Sequence, residues 1–306
     1  MNVAADTFAE RPATPPPATA PERIIEAHGL TKRYKNAVAL DHADFTVDAG
    51  RIVGLIGPNG AGKTTALKAI LGLTDFDGEL NVLGMDPRKE RPLLMRDVCF
   101  IADVATLPRW IRVQEAIDFV AGIHPRFDRA KCERFLTRTR LSPNQKVREL
   151  SKGMIVQLHL AIVMAIDARL LVLDEPTLGL DILYRKQFYQ SLLEDYFDEH
   201  KTILITTHQV EEVEHILTDL LFIRAGKVAL ATSMDEMAAR FSEVLVGPEQ
   251  AEAARALKPI DERAGVFGKS IFLYDGADPE RLTRLGEVRR PSVSDLFVAI
   301  MKGTYA

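Results

Sequence analysis

The chain has 306 residues, 47% of them hydrophobic, and a formal net charge of −4, enough apolar material for one large domain or two modest ones. The slightly acidic balance offers no basic surface, so nucleic acid is not an expected partner. Cys99 and Cys132 are the only cysteines and lack metal-type spacing; they read as small core residues in a reducing compartment, with no disulfide framework.

Residues 1 to about 22 carry "RPATPPPATAP", too proline-rich and too poor in large apolar residues to pack, and read as a flexible tail. From Ile24 the pattern turns to short strands: "IIEAH", "AVAL", "ADFTV" and "RIVGLIG". The glycine-rich loop "GPNGAGKTT" follows, then "KTTALKAILG" with helical spacing and a stop at Gly72. "DVCFIAD" reads as another buried strand, and residues from about 104 to 168 as mainly helical, clearest in "VQEAIDFVAGI" and "RAKCERFLTRT". Apolar strands return with "RLLVLD", "TILITT" and "DLLFI", separated by helical patterns. Buried runs alternating with helices predict an α/β core with a largely parallel sheet covered on both faces, the helical block being an insertion.

Beyond about residue 240 the pattern repeats on a smaller scale, with "SEVLVG", "SIFLYDG" and a final helix. Ser292 and Asp295 form its capping pair, and Val293, Leu296, Phe297, Ile300 and Met301 its apolar stripe. The expected organisation is a tail (1–22), an α/β core (23–236, insertion about 104–168) and a small C-terminal α/β unit (240–306). No apolar run approaches the roughly 18–20 residues that span a bilayer, and no secretory stretch opens the chain. The expectation is an intracellular chain that reaches a membrane only through a partner.

Four stretches carry chemistry. In "GPNGAGKTT", glycines let backbone N–H groups turn inward around phosphate oxygens while the following helix start adds positive potential. Lys63 then reaches the β- and γ-phosphates and the Thr64 hydroxyl coordinates Mg²⁺. In "RLLVLDEPTLGLD" a buried strand ends in Asp174, placed to hold Mg²⁺, followed by Glu175, placed to orient or deprotonate an attacking water. "TTHQVEE" puts His208 at the carboxyl end of a strand, where parallel sheets bind ligands. Its imidazole there meets the γ-phosphate or the water. "ELSKGMIVQ" makes a second anion-binding helix start, and one triphosphate in one chain has little use for two.

These motifs, in this order, resemble the nucleotide-binding subunit of ATP-binding cassette (ABC) transporters, over about residues 24 to 235. "GPNGAGKTT" matches Walker A, "LVLDE" Walker B, "LSKGM" the signature, "TLGLD" the D-loop and "TTH" the switch histidine. The resemblance implies a P-loop ATPase core: α/β, with a mainly parallel sheet, an antiparallel β subdomain and a helical insertion, plus the small C-terminal appendage. It implies ATP and Mg²⁺ as ligands. Gly57, Asn59, Gly60, Ala61, Gly62, Lys63, Thr64 and Thr65 would hold the phosphates, and Tyr34 would stack on adenine. Ser151, Gly153 and Asp181 would act across a dimer on the partner's nucleotide. Thr64 and Asp174 would ligate the metal, joined by Asp103, which stands where the family has a Gln or Glu; Glu175 and His208 would be catalytic.

The signature departs from the common "LSGGQ" at Lys152 and Met154, and "LSKGM" is similar to variants in the ABC-2 type export group. The implied partners are a like or similar ATP-binding subunit and a separate transmembrane permease, which would hold the protein on the inner face of the cytoplasmic membrane. The helical insertion would receive the permease's cytoplasmic helix, and Trp110 reads either as a docking anchor there or as a packed core residue. The alternative is a soluble ABC-type ATPase with a regulatory role. Translation ATPases of this type usually carry two cassettes, DNA-repair types a long coiled coil, and small GTPases or kinases have no use for "LSKGM" and "TTHQ".

Overall fold

The computed structural model describes residues 21–101, 107–178 and 180–302. The chain opens with a long antiparallel hairpin, β1 (Arg23–Tyr34) and β2 (Ala37–Asp48), where the sequence pattern suggests three shorter strands. The interruptions that split the pattern are local: Gly29 and His42 both have positive φ, and the pairing shifts register four times along the hairpin. Such bulges bend a strand without ending it and throw its side-chain alternation out of phase. After β3 (Ile52–Ile56) and α1 (Lys63–Ile70), the strand β4 (Asp77–Val82) joins the other edge of β1, giving the three-stranded order β2-β1-β4.

Next come α2 (Pro87–Leu94) and β5 (Val98–Ile101), then three helices with no strand among their described residues: α3 (Val113–Ile123), α4 (Arg129–Thr137) and α5 (Lys152–Met164). The α/β alternation resumes with β6 (Leu170–Asp174), α6 (Ile182–Ser191), β7 (Thr202–Thr207), the four-residue α7 (Val210–Val213), β8 (Asp219–Arg224) and β9 (Lys227–Ser233). These build a six-stranded sheet in the order β5-β6-β7-β3-β8-β9, parallel except for β9.

Every residue of β3, β6 and β7 is buried. Their side chains alternate between two cores, as the strand period requires. Val53, Leu55, Val172 and Leu204 face a core completed by α1 and the three-stranded sheet. Ile52, Ile56, Leu171, Leu173, Ile203 and Ile205 face the other, which takes in α6, α7 and part of α5. The helix α5 is apolar nearly all round because it serves two cores: Leu160, Val163 and Met164 join the sheet, while Leu158, Ala161 and Ile162 meet Val113, Ile117 and Cys132 of α3 and α4.

The chain ends in α8 (Met234–Arg240), β10 (Phe241–Val246), α9 (Ala251–Ala256), β11 (Asp261–Ala264), β12 (Ser270–Asp275), α10 (Pro279–Thr283), β13 (Gly286–Arg289) and α11 (Val293–Lys302). The four strands form an antiparallel sheet, order β11-β12-β10-β13. The capping pair expected for the last helix is present, with the Asp295 N–H donating to Ser292 Oγ at 3.0 Å. Helix α11 lies on the main core. Arg224 of β8 donates to the carbonyls of Ile300 and Met301 at its end, Glu214 accepts from the Val293 N–H at its start, and Phe297 meets Phe222 edge-on at 5.4 Å. No helix among the described residues is long and apolar enough to cross a membrane.

Candidate functional site

The site is built at the carboxyl edge of the parallel sheet, where three strand ends share one level. In the register, Ile56 lies opposite Thr207, and Asp174 opposite Thr206. From Ile56 the chain turns into the loop Gly57–Gly62 and enters α1. Glycine is required at both ends of that loop. A Cβ at Gly57 would stand 2.4 Å from the Ile223 carbonyl oxygen, and one at Gly62 2.4 Å from that of Ala39, with Gly62 also at φ 114°. Gly62 is the N-cap of α1 and supplies no side-chain cap, so the first-turn N–H groups face the loop's concavity, where an anion satisfies them. Lys63 is buried and folds back over the loop, donating from Nζ to the Gly57 carbonyl at 2.6 Å and to that of Pro58 at 3.3 Å. Burial lowers its pKa, and the Glu175 and Asp174 carboxylates oppose that shift.

Asp174, 7% exposed, ends β6 and is bridged by two hydroxyls. Thr206 Oγ1 donates to its Oδ1 at 2.5 Å and Thr64 Oγ1 to its Oδ2 at 3.4 Å. A hydroxyl and a carboxylate are hard oxygen donors that fit Mg²⁺, which takes one or two protein ligands and completes its shell with phosphate and water. Among the described residues no group of three or more His, Cys, Asp and Glu converges as a metal site. Asp103 lies outside the described residues.

Glu175 has a left-handed backbone, φ 48°, a conformation costing a non-glycine residue about 1–2 kcal/mol. Its N–H is held by the carbonyl and hydroxyl of Thr206 at 3.1 and 3.2 Å, and its Oε2 meets His208 Nδ1 at 2.9 Å. The left-handed turn directs the carboxylate back toward the end of the neighbouring strand instead of along its own. Thr206 thus organises both acids, a role that sequence reading missed because it depends on the register of β6 against β7.

Asn59, Gly60 and Ala61 lie in the loop and Thr65 in the first turn of α1, while Tyr34, Ser151, Gly153 and Asp181 stand on other elements. Tyr34 ends β1, 49% exposed, with the Lys32 ammonium 5.2 Å from its ring centre; it pairs with Ala37, two residues before the Ala39 carbonyl that touches the loop. Ser151 caps α5, accepting from the Met154 N–H at 3.2 Å, and Asp181 caps α6, accepting from Leu183 and Tyr184 at 3.0 and 3.1 Å. None of these bonds reaches the phosphate loop. Gly153 has room for a side chain: a Cβ there would meet nothing nearer than Leu180 Cδ2 at 3.8 Å. Packing within the chain requires glycine at 57 and 62 but not at 153. Trp110, open to either a docking or a core reading from sequence, is 74% exposed, which rules out the core reading.

The family model described as ABC transporter matches residues 40–178. The chain is similar to the Nod factor export ATP-binding protein I of Rhizobium johnstonii, 31% identical over 297 residues, spanning 90% of this chain and 94% of that protein. It is also similar to the ABC transporter ATP-binding protein YtrB of Bacillus subtilis, 26% identical, covering 87% and 91% of the two chains. Among solved structures, an ATP binding subunit of an ABC transporter superposes with a TM-score of 0.64 at 26% identity, over 71% of this chain and 92% of that one.

Proposed function

This chain belongs to the ABC transporter ATP-binding protein family, and from that premise we propose that it powers export by closing, with ATP, against a second ATP-binding subunit. The motion would pass to a separate transmembrane permease on the inner face of the cytoplasmic membrane. Residues 23–236 form the ATP-binding unit, with the insertion at about 104–168, and 240–306 the appendage. The observation that carries the reading is the meeting of Lys63, Thr64, Asp174, Glu175 and His208 at one sheet edge.

The loop residues Gly57, Asn59, Gly60, Ala61, Gly62 and Thr65 enclose the phosphates with backbone N–H groups, Lys63 neutralises the β- and γ-oxygens, and Tyr34 stacks on adenine. Thr64 and Asp174 would hold Mg²⁺, with Asp103 as the third contributor, and the ion would supply neutralisation of phosphate charge. Glu175 accepts a proton from the attacking water, and His208, bonded to it, keeps the carboxylate turned toward that water. Ser151, Gly153 and Asp181 act on the partner's nucleotide. Gly153 supports this because its missing side chain leaves room for a ligand that this chain does not itself supply. An active site lacking one well-aimed donor typically loses about 3 kcal/mol of transition-state stabilisation, so either subunit alone hydrolyses slowly.

The test is Glu175→Gln. The variant binds ATP, runs as an ATP-dependent dimer in size exclusion and turns over little. A wild-type rate in that variant removes Glu175 as the base, and the absence of an ATP-dependent dimer removes the closure.

A further inference from the structure

The catalytic edge carries a second tie besides the one at the strand ends. Glu175 and His208 sit on two separate segments, one leaving the end of β6 and the other the end of β7. At the strand ends these are joined by the Glu175 N–H on Thr206 and by the Glu175–His208 contact. At their far ends they are joined again through Arg185 on α6. Its Nε donates to the Leu180 carbonyl at 2.8 Å, and its Nη1 donates both to Gln209 Oε1 at 2.6 Å and to Glu212 Oε1. The contacts close a ring: Glu175, the turn to Leu180, Arg185, Gln209, His208 and back to Glu175.

The clamp meets the start of the second segment. Its helix, Val210–Val213, runs on into a single 3₁₀ turn, Glu214–Ile216, and is anchored from below by Val210 and Val213 in the main core, so Arg185 fixes the end that the core does not hold. Its N-cap, Gln209, makes no side-chain cap bond, since its amide oxygen is engaged by Arg185. Arginine fits this position because its rigid, planar guanidinium spreads donors over separate nitrogens, Nε toward Leu180 and Nη1 toward Gln209 and Glu212, a span that lysine's three donors on one nitrogen do not cover.

We propose that Arg185 is a positioning residue for ATP hydrolysis, clamping the Leu180 carbonyl to Gln209 and Glu212 so that His208 stays in register with Glu175. Its hydrogen bonds run to Leu180, Gln209 and Glu212 of the chain itself. The proposal rests on the assignment of Glu175 and His208 as the catalytic pair, and a double-mutant cycle separates the two ideas.

In the full chain, Arg185→Ala lowers kcat at least about tenfold, in keeping with the sensitivity of rate to small misplacements, while KM for ATP stays within about twofold of wild type because the phosphate loop is untouched. Arg185→Lys does not restore the rate. In a His208→Ala background, adding Arg185→Ala costs nothing further. Multiplying effects in the double variant, a wild-type kcat in Arg185→Ala, or a rise in KM equal to the loss in kcat/KM each overturn the proposal. A wild-type rate in His208→Ala overturns the catalytic pair and the clamp with it. Gln209→Ala, which removes a single acceptor, gives the same cycle in case Arg185→Ala fails to fold: additivity with His208→Ala overturns the clamp there too.

Discussion

Replacing Glu243 with alanine tests whether the C-terminal sheet is held together by charge. This side chain, on the central strand β10, is 2% exposed. Its Oε2 accepts from Arg263 Nη2 and its Oε1 from Arg289 Nε, both at 2.6 Å. Arg263 continues the network to Asp295 on α11. Removing the carboxylate leaves Arg263, largely covered, to Asp295 and the neighbouring charge of Asp261, while Arg289, half exposed, is free to turn to water. Breaking a buried ion network by deleting one member costs about 3–5 kcal/mol, and the rehydration of Arg289 places Glu243→Ala at the lower end. For a chain of this size that corresponds to a fall in Tm of about 5 °C. Asp295→Ala, removing a carboxylate that is 35% exposed, costs less than half as much, since partly solvated pairs contribute little. Thermal unfolding followed by circular dichroism reads both. A Glu243→Ala midpoint within about 1 °C of wild type, or a larger loss in Asp295→Ala, refutes the reasoning.

His159 on α5 should make the protein acid-sensitive. Burial pushes its pKa down to about 4 from 6.5, and its Nε2 is buried without a partner. The unfolded imidazole protonates first, so the stability this neutral group contributes is complete above pH 6.5 and is lost as pH falls toward 4. Urea midpoints across that range fall less steeply in His159→Leu, and equal slopes contradict the assignment. Trp110, the only tryptophan, should be quenched by acrylamide nearly as well in the native as in the unfolded chain. Strong native protection refutes its exposure, and protection gained on adding permease-containing vesicles marks it as a docking contact.

The parts of the site that could be read from the sequence are those that need a particular residue type at one place. The loop glycines at 57 and 62 have no substitute under the Ile223 and Ala39 carbonyls, Asp174 ends a buried strand, and Glu175 and His208 each follow one whose apolar run points to them. Thr206 and Arg185 left no such mark. A threonine in a buried strand or an arginine on a helix has many ordinary uses, and theirs come from register and from a loop meeting a helix across the fold. The strands β11, "DERA", and β13, "GEVR", were also unreadable. They are edges of an antiparallel sheet with alternately exposed residues, and a half-solvated strand of four residues carries almost no hydrophobic signal. The first hairpin was legible in type but not in length, because bulges disrupted its alternation.

Helix α11 makes the last ten described residues a roof for machinery encoded some eighty residues upstream. It seals the apolar side of the short segment that follows His208, fastened at one tip by Arg224 and at the other by Glu214. A chain cut short at residue 240 would strip Val213, Ile216 and Phe222 of their cover and loosen the support of the segment that follows His208.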